Sequence, residues 1–330
     1  MTQLSQLTAP VLTDLYHAEH RGKSLAIATF LPYIGPALGP IIGGVVAQHI
    51  QWEWLFWILS IFVSVVATVG FLVLPETYTP VLLQRKAKFE KRSCGRDNSY
   101  QSFVSRLRVG LVRPIHLLVH RRIVQCIALV MGVNFGIYCL MLSTFADIWI
   151  DSYSESKTVS SLNYIAIAIG TTAGTQAGGH TMDWIYRHLR RRQPDAAPAP
   201  EYRVPFLVPG AILPPVGLFW YGWSAQAKLS WVMVDVGTAI FTCGSFILTQ
   251  GMLAYLFDEV EHAASANAAG RLLSMVLGFA FPIFGPQMYH NLSYGWGNSL
   301  LAFLFLILAA PLPLILWVWG AELRAIGRHS

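Results

Sequence analysis

Eight long apolar runs decide what this chain can fold into. They cover residues 25–48, 54–74, 123–146, 159–181, 204–223, 231–255, 268–290 and 297–319. About 20 apolar residues in a helix cross the hydrocarbon core of a bilayer, because each residue adds about 1.5 Å. Only 12% of the residues are charged, against roughly 25% in an average soluble protein. The sequence therefore predicts an all-α integral membrane protein of about eight transmembrane helices, with the lipid bilayer as its first partner.

The basic residues predict how the chain is oriented in the membrane. Eleven of the 23 lysine and arginine residues lie between the second and third runs, within residues 80–122. Most of the others lie in the connection between the fourth and fifth runs and near the two termini. Cytoplasmic loops carry such an excess, so we expect both termini and the basic loops to be cytoplasmic. This distribution accounts for the net charge of +6, and no nucleic-acid partner is expected.

The chain shows no pattern of an enzyme, a metalloprotein or a disulfide framework. Its 4 cysteines have no paired spacing, and a free cysteine in an apolar run behaves as a small hydrophobic residue. No nucleophile–base pair, phosphate-binding loop or metal cluster is visible. Residues 1–24 carry no apolar segment of the kind a cleavable signal peptide requires. We therefore predict no enzymatic activity, no cofactor and no metal site.

The first run contains an unusual density of helix-breaking residues. They are Gly35, Pro36, Gly39, Pro40, Gly43 and Gly44. Lipid forbids exposed irregular backbone, so this stretch is expected to be a helix despite them. Glycines spaced by four lie on one face and let another helix approach closely, and proline bends or softens the helix. Two interpretations stay open: a plain packing seam, or a seam that must also move.

Several motifs together resemble the major facilitator superfamily, and within it the fungal drug:proton antiporters with twelve helices. Residues 35–44 resemble the antiporter motif on the fifth helix of that family. Further stretches on both sides of it also resemble the family. They are Asp14-Leu15-Tyr16, Arg21-Gly22, Trp52 to Trp57, Pro75-Glu76-Thr77-Tyr78, Gly174 to Arg187, Tyr202-Arg203-Val204-Pro205, Gly217 to Trp223 and Tyr294 to Ser299. The resemblance covers nearly the whole chain.

The resemblance implies an incomplete major facilitator fold. The eight runs would correspond to helices five to twelve, and residues 6–16 to the end of the fourth helix. The expected domains are residues 1–79, a remnant of the N-terminal bundle with two transmembrane helices; residues 80–122, a basic cytoplasmic linker; and residues 123–330, a C-terminal six-helix bundle. Possible partners are the missing N-terminal helices or another chain. A position that is usually basic in the family is Trp184 here.

The implied function is secondary active transport, in the form of proton-coupled efflux of small amphipathic organic compounds across the plasma membrane. The energy source would be the proton gradient. Two alternatives stay open. One is uptake or polyamine transport on the same fold, and the other is a non-transporting remnant or membrane subunit.

Asp183 and Arg187 are the candidate cytoplasmic gate. They lie four residues apart on one helical face, after the glycine pair Gly178-Gly179. In the functional interpretation they belong to a charge network that breaks when helix bundles move. In the alternative interpretation they form a surface pair. The acidic residues Asp258, Glu259 and Glu261 could pair with the basic stretch at residues 190–192 or form a solvated loop.

Four polar residues near the middle of runs are candidates for a substrate cavity: Asn134, Tyr138, Gln176 and Gln250. A polar side chain at membrane depth is costly unless it faces protein or a cavity. Each could instead make a hydrogen bond between helices. Phe279 and Phe281 could supply apolar walls, a mixture that would suit amphipathic substrates.

Three titratable residues and one modification motif complete the candidates. We expect Asp147 and Asp235 at hydrated rims and His180 at a helix interface, where it could be protonated. Asn291-Leu292-Ser293 matches the N-glycosylation motif. It lies in a short loop close to the predicted bilayer surface, which disfavours its use.

Overall fold

The computed structural model describes residues 35, 39, 41–44, 46, 51–73, 112, 114–192, 200–259 and 263–325. These residues belong to two units. The first unit contains the described residues of 35–73 together with 157–164, and the second contains 112–156 and 165–325. Each unit has its own internal contacts. The division at residues 79 and 122 stays a prediction.

Helices account for nearly all of the described residues, and no strand occurs among them. The helices, numbered in chain order, are α1 Trp52–Val73, α2 Arg122–Asp147, α3 Lys157–Leu162, α4 Tyr164–Arg192, α5 Val204–Gln226, α6 Trp231–Glu259, α7 Ala263–Ala309 and α8 Pro311–Ala325. A π-helical turn, Ile148–Ser152, follows α2, and a 3-10 turn, Pro200–Arg203, precedes α5. The predicted all-α fold class is confirmed.

Five helical segments of the described chain are long and apolar enough to span a membrane. They are Glu53–Leu72, Arg122–Ser152, Pro200–Gln226, Trp231–Leu256 and Asn267–Gly320. The last contains 54 residues, about 81 Å of helix, which is more than twice the thickness of a hydrocarbon core. It therefore holds the seventh and eighth predicted runs.

The fourth predicted run differs from the structure. Residues 159–181 begin in α3, cross a break at Asn163 and continue in α4. Helix α4 has 29 residues but is not among the five apolar segments, because threonine, glutamine, glycine and histidine interrupt its aliphatic stretch. It also continues to Arg192, well past the predicted end. The first predicted run lies mostly outside the described residues.

Helix α7 is two helical arms joined at a bend. Ser293 has φ 59° and ψ 172°, a left-handed backbone that a residue with a side chain adopts at a cost of about 1–3 kcal/mol. The chain reverses there, so residues 263–292 and 294–309 form separate arms. The second arm ends at Ala309, because Ala310 precedes Pro311 and a residue before a proline disfavours the α conformation.

The second unit is organised around three close helix pairs: α2 with α7, α5 with α6, and α5 with α7. Its largest fully buried side chains are aromatic, and they include Phe145, Trp149, Tyr221, Tyr255 and Phe241. Phe145 stacks on Tyr221 at 6.3 Å between ring centroids. Aromatic burial of this size dominates the energetics of a core.

Glycines bring α5 and α6 into backbone contact. A Cβ added to Gly210 would lie 2.8 Å from the Cα of Leu248, and one added to Gly237 would lie 2.6 Å from the backbone nitrogen of Tyr221. A side chain at either position would collide with the opposite backbone. Small residues at helix contacts are the usual means by which membrane helices approach this closely.

Candidate functional site

The antiporter-motif stretch is only partly described. Gly35, Gly39, Gly43 and Gly44 are helical, whereas Pro36 and Pro40 lie outside the described residues. A Cβ at Gly44 would collide with the side chain of Ser161 in the same unit, while one at Gly39 or Gly43 would have open space within 4 Å. The structure therefore gives one glycine of the motif a close neighbour, and the mobile seam stays a prediction.

A second glycine stripe, on α4, lies against α6. Gly170, Gly174 and Gly178 are spaced by four, and Cβ atoms placed on them would meet atoms of α6. At Gly174 a Cβ would lie 2.5 Å from the carbonyl oxygen of Cys243, and the approach at Gly170 is closer still. Gly179, the other glycine of the signature, has open space. The stripe places the polar face of α4 beside α6.

Asn134 is the most buried of the four cavity candidates. It is 4% exposed and lies midway along α2. Its amide nitrogen donates to the carbonyl oxygen of Ser245, at 3.1 Å, and to the hydroxyl of Thr249, at 3.0 Å. Asn134 therefore links α2 to α6, which is the interhelical hydrogen bond considered as its alternative role.

Two polar atoms around Asn134 nevertheless stay unpaired among the described residues. They are the amide oxygen of Asn134 and the hydroxyl oxygen of Ser245, both buried. Leaving a buried polar atom without a partner costs about 1–3 kcal/mol. A buried polar atom of this kind calls for an explanation, and strain, a functional role or a bound water are the usual ones.

The other three cavity candidates surround the α2–α6 and α4–α6 contacts. Tyr138 is buried and meets the ring of Phe246 edge-on, with centroids 5.7 Å apart. The side-chain oxygen of Gln250 lies 3.5 Å from the point where a Cβ on Gly178 would stand. Gln176 is half-buried on α4. All three lie on the helices that flank α6 or on α6 itself, and their role in a cavity stays a prediction.

Asp183 and Arg187 are both exposed on α4. The guanidinium Nε of Arg187 donates to the backbone carbonyl oxygen of Asp183 at 3.1 Å, and the carboxylate of Asp183 is not part of that bond. Trp184, at the position that departs from the family, is 63% exposed and stacks on His188 at 5.4 Å between centroids. The pair shares one face as predicted, and its function as a gate stays a prediction.

The ion pairs of the described residues form elsewhere, in a group that we call the arginine cluster: Arg121, Arg203, Asp258 and Glu259. The guanidinium of Arg203 contacts the carboxylate of Asp258 through Nε, at 2.5 Å, and through a terminal nitrogen, at 3.4 Å. Arg121 lies 3.7 Å from a carboxylate oxygen of Glu259, whose side chain is 1% exposed. Arg203 also lies over the ring of Tyr186, 5.0 Å from its centroid.

The arginine cluster gives two of the acidic residues defined partners. Asp258 contacts Arg203 and Glu259 lies near Arg121, while a pairing with residues 190–192 stays a prediction and Glu261 lies outside the described residues. The reason is geometric: the end of α6 lies beside the starts of α2 and α5, which bring one arginine each. In the sequence, the one feature that indicates this cluster is the pair of adjacent carboxylates at the end of an apolar run.

The remaining titratable candidates are Asp147, Asp235 and His180, and the glycosylation candidate is Asn291. Asp147 is exposed, and Asp235 is half-buried in the first turns of α6, with one carboxylate oxygen buried and unpaired among the described residues. His180 is exposed, and its Nδ1 donates to the carbonyl oxygen of Gln176 at 2.9 Å. Asn291 is exposed two residues before the bend at Ser293. Its glycosylation is untested.

The motif Tyr294 to Ser299 builds a hydrogen-bonded node at the C-terminal end of α5. The phenol of Tyr289 donates to the side-chain oxygen of Asn298 at 3.0 Å, and the Asn298 amide donates to the carbonyl oxygen of Tyr294 at 2.9 Å. Across to α5, the indole of Trp223 donates to the hydroxyl of Ser299 at 3.1 Å. In the sequence, Trp223 and residues 294–299 stand out only by their resemblance to the family, and nothing there predicts this node.

Comparison with known proteins identifies the family. The profile of the Major Facilitator Superfamily matches residues 4–282. The chain is 39% identical to a probable efflux pump of Aspergillus flavus, over 97% of this chain and 78% of the relative. It is 36% identical to an uncharacterized transporter of Schizosaccharomyces pombe, over 97% of this chain and 67% of the relative.

A third relative agrees with these two. It is an efflux pump of Penicillium aethiopicum, 38% identical over 97% of this chain and 64% of the relative. The chain thus spans between about two thirds and four fifths of the length of these curated relatives. They are named as pumps and transporters, and the fold of the chain is an incomplete form of theirs. This membrane protein belongs to the major facilitator superfamily.

Proposed function

We propose that this chain serves in the proton-coupled efflux of small amphipathic organic compounds, such as drugs or secondary metabolites, across the plasma membrane. The names of the relatives support the direction of transport. The observation that carries the proposal is Asn134, a buried amide midway along α2 whose oxygen has no partner among the described residues.

Asn134 supports transport because its surroundings suit an amphipathic molecule. The unpaired hydroxyl of Ser245 lies on the facing helix, and the aromatic rings of Tyr138 and Phe246 lie nearby along the same two helices. A few polar atoms among aromatic and aliphatic walls are what a site for a drug-sized organic compound requires. The substrate would make the hydrogen bonds that the bundle leaves unmade.

The driving force and orientation follow from the same proposal. The proton gradient supplies the energy, and both termini lie in the cytoplasm, since the basic loops are placed there by the positive-inside rule. Asp183 and Arg187 form the cytoplasmic gate, and the arginine cluster ties together the helix ends beside it. Ions bias a transporter only by binding one conformation better than the other.

Efflux by proteoliposomes tests the proposal. The purified chain is reconstituted, a panel of amphipathic fluorescent dyes is loaded, and a pH gradient is imposed. We expect dye movement that depends on the gradient and stops with a protonophore. Movement that ignores the gradient would overturn proton coupling, and movement of polyamines alone, or uptake alone, would replace efflux by the alternative transport function.

The Asp183→Asn variant tests the gate in the same assay. If the carboxylate belongs to a gate, the variant inserts normally and transports at an altered rate. Glu155→Gln is the control, since that carboxylate lies in the loop after the π-helical turn. Equal transport by wild type and Asp183→Asn would return Asp183 to a surface role.

A membrane subunit that packs against a partner is the second candidate. Helix α1 favours it, because large apolar side chains along the helix are exposed, among them Phe62 and Phe71. The partner would be further helices of the same fold or another chain. Transport that appears only after co-expression with the part of the Aspergillus flavus relative that this chain does not match would support this candidate, and dye efflux by the chain alone would refute it.

A further inference from the structure

His116 and His120 form a pair that the sequence analysis did not single out. They lie four residues apart in the helical segment 114–120, and both are exposed. Their imidazole rings stack with centroids 4.0 Å apart and an interplanar angle of 16°. Two histidines four residues apart on one helical face can each supply a ring nitrogen to a single metal ion.

The hydrogen bond of His120 determines which of its nitrogens is free. Nδ1 of His120 lies 3.0 Å from the backbone carbonyl oxygen of His116. A carbonyl oxygen can only accept, so Nδ1 carries the hydrogen, and the neutral ring keeps its lone pair on Nε2. Histidines that bind metals are held in this way, with the second ring nitrogen donating to a carbonyl or carboxylate.

The segment that carries the pair is fastened to α2. The backbone at Arg121 is extended, with φ −98° and ψ 105°, yet the amide of Arg121 donates to Leu117 and the amide of Gln125 donates to Arg121. The side chain of Gln125 adds a bond to the carbonyl oxygen of Val119 at 2.7 Å. These bonds hold the histidine pair in place before any ligand arrives.

The arginine that directly follows His120 in the chain already has a partner. Arg121, next to His120, lies 3.7 Å from the buried carboxylate of Glu259. Its positive charge is thus opposed by a carboxylate, which reduces its repulsion of a cation at the pair.

We propose that His116 and His120 bind a divalent transition-metal ion, of the class of Zn²⁺, Ni²⁺ and Cu²⁺, through their Nε2 atoms. Imidazole suits these ions, whereas Mg²⁺ and Ca²⁺ prefer oxygen ligands. Metal–nitrogen distances of about 2.0–2.1 Å require the two rings to tilt toward each other. Water completes the coordination, so the site is exchangeable. The bound ion would clamp the last turn of the segment that leads into α2.

Metal titration of the untagged full-length chain in detergent tests this inference. Calorimetry with Zn²⁺ follows binding, and electron paramagnetic resonance of added Cu²⁺ reports how many nitrogens coordinate it. We expect one saturable site with two imidazole nitrogens. His116→Ala and His120→Ala should each abolish the saturable site and the two-nitrogen signature. His116→Gln and His120→Gln repeat the test with side chains that keep the bulk of the ring.

His188→Ala is the matched control, because His188 is also exposed and stacked, but on Trp184 instead of a second histidine. It should bind the metal as the wild type does. Wild-type titrations without a saturable site, or His116 and His120 variants that bind like the wild type, would overturn the inference. The result is independent of whether the chain transports dyes.

Discussion

The phenol of Tyr289 donates a 3.0 Å hydrogen bond to the side chain of Asn298, which lies beyond the bend at Ser293. Asn298 is fully buried. The bond therefore joins the two arms of α7 and holds the bend closed from the inside.

Tyr289→Phe should destabilise this bend. The variant keeps the ring but leaves the oxygen of Asn298 without its donor, a loss of about 1–3 kcal/mol for a buried acceptor. We expect a clearly lower thermal-unfolding midpoint in detergent. Tyr153→Phe is the control, since the Tyr153 phenol donates to the carbonyl oxygen of Leu229 at 2.6 Å in an exposed loop and its loss should matter little. Equal midpoints for the two variants would contradict the role of the node.

Gly174→Ala should separate α4 from α6. The new Cβ would lie 2.5 Å from the carbonyl oxygen of Cys243, and overpacking of a tight contact costs typically about 1–3 kcal/mol. Gly179→Ala, on the same helix, has open space and should be neutral or gain up to about 1 kcal/mol from helix propensity. Thermal-unfolding midpoints of the two variants test this prediction. Equal midpoints for Gly174→Ala and Gly179→Ala would show that α4 and α6 do not approach closely at Gly174.

Arg121→Gln should cost more stability than Arg203→Gln. Removing Arg121 takes away a positive charge 3.7 Å from the buried carboxylate of Glu259, and breaking a buried ion pair from one side costs about 3–5 kcal/mol. The Arg203–Asp258 pair is more exposed, with side chains 18% and 31% exposed, so its loss should cost about 1 kcal/mol or less.

The double variant Arg121→Gln with Glu259→Gln separates the ion pair from other effects. We expect it to recover much of the stability lost by Arg121→Gln, because no buried charge remains. Chemical unfolding of the two single variants and the double variant gives the coupling energy. Additive losses would show that the two side chains do not interact.

Asn134→Ala should affect transport more than stability. Its hydrogen bonds to α6 are worth only about 0.6 kcal/mol on average for membrane helices, while the loss of a polar group from the cavity should change which dyes are moved and how fast. Ser143→Ala, which removes only a bond within α2, is the control in the dye-efflux assay. A variant Asn134→Ala with unchanged dye selectivity would assign the amide to packing alone.

Sequence reasoning located the helices where strong signals delimit them. Helices α2, α5 and α6 begin and end within a few residues of their predicted runs, because charged residues or tryptophans mark the ends of continuous apolar stretches. It misjudged α4, whose second half is too polar for a hydropathy rule but remains helical. The predicted runs 268–290 and 297–319 leave a short loop where the bend at Ser293 lies, but serine carries no signal for a left-handed backbone, so the form of the bend could not be predicted.

Side-chain partners were harder to predict than helices. Arg121, Arg203 and Glu259 come from distant parts of the chain, and only the packing of three helix ends brings them together. Asn134 was found because a polar residue in an apolar run is conspicuous in any sequence. The partners of its amide on α6 are a backbone carbonyl and a threonine, which no sequence pattern distinguishes.

The two adjacent carboxylates at the end of α6 have a mechanical consequence. Neighbouring side chains on a helix point about 100° apart. Asp258 and Glu259 therefore contact Arg203 and Arg121 on two different sides of α6. A turn of α6 about its own axis would pull both carboxylates away from their arginines together, and a shift along the axis would strain both. Movement of this end of α6 would therefore disturb both ion pairs, and not only one of them.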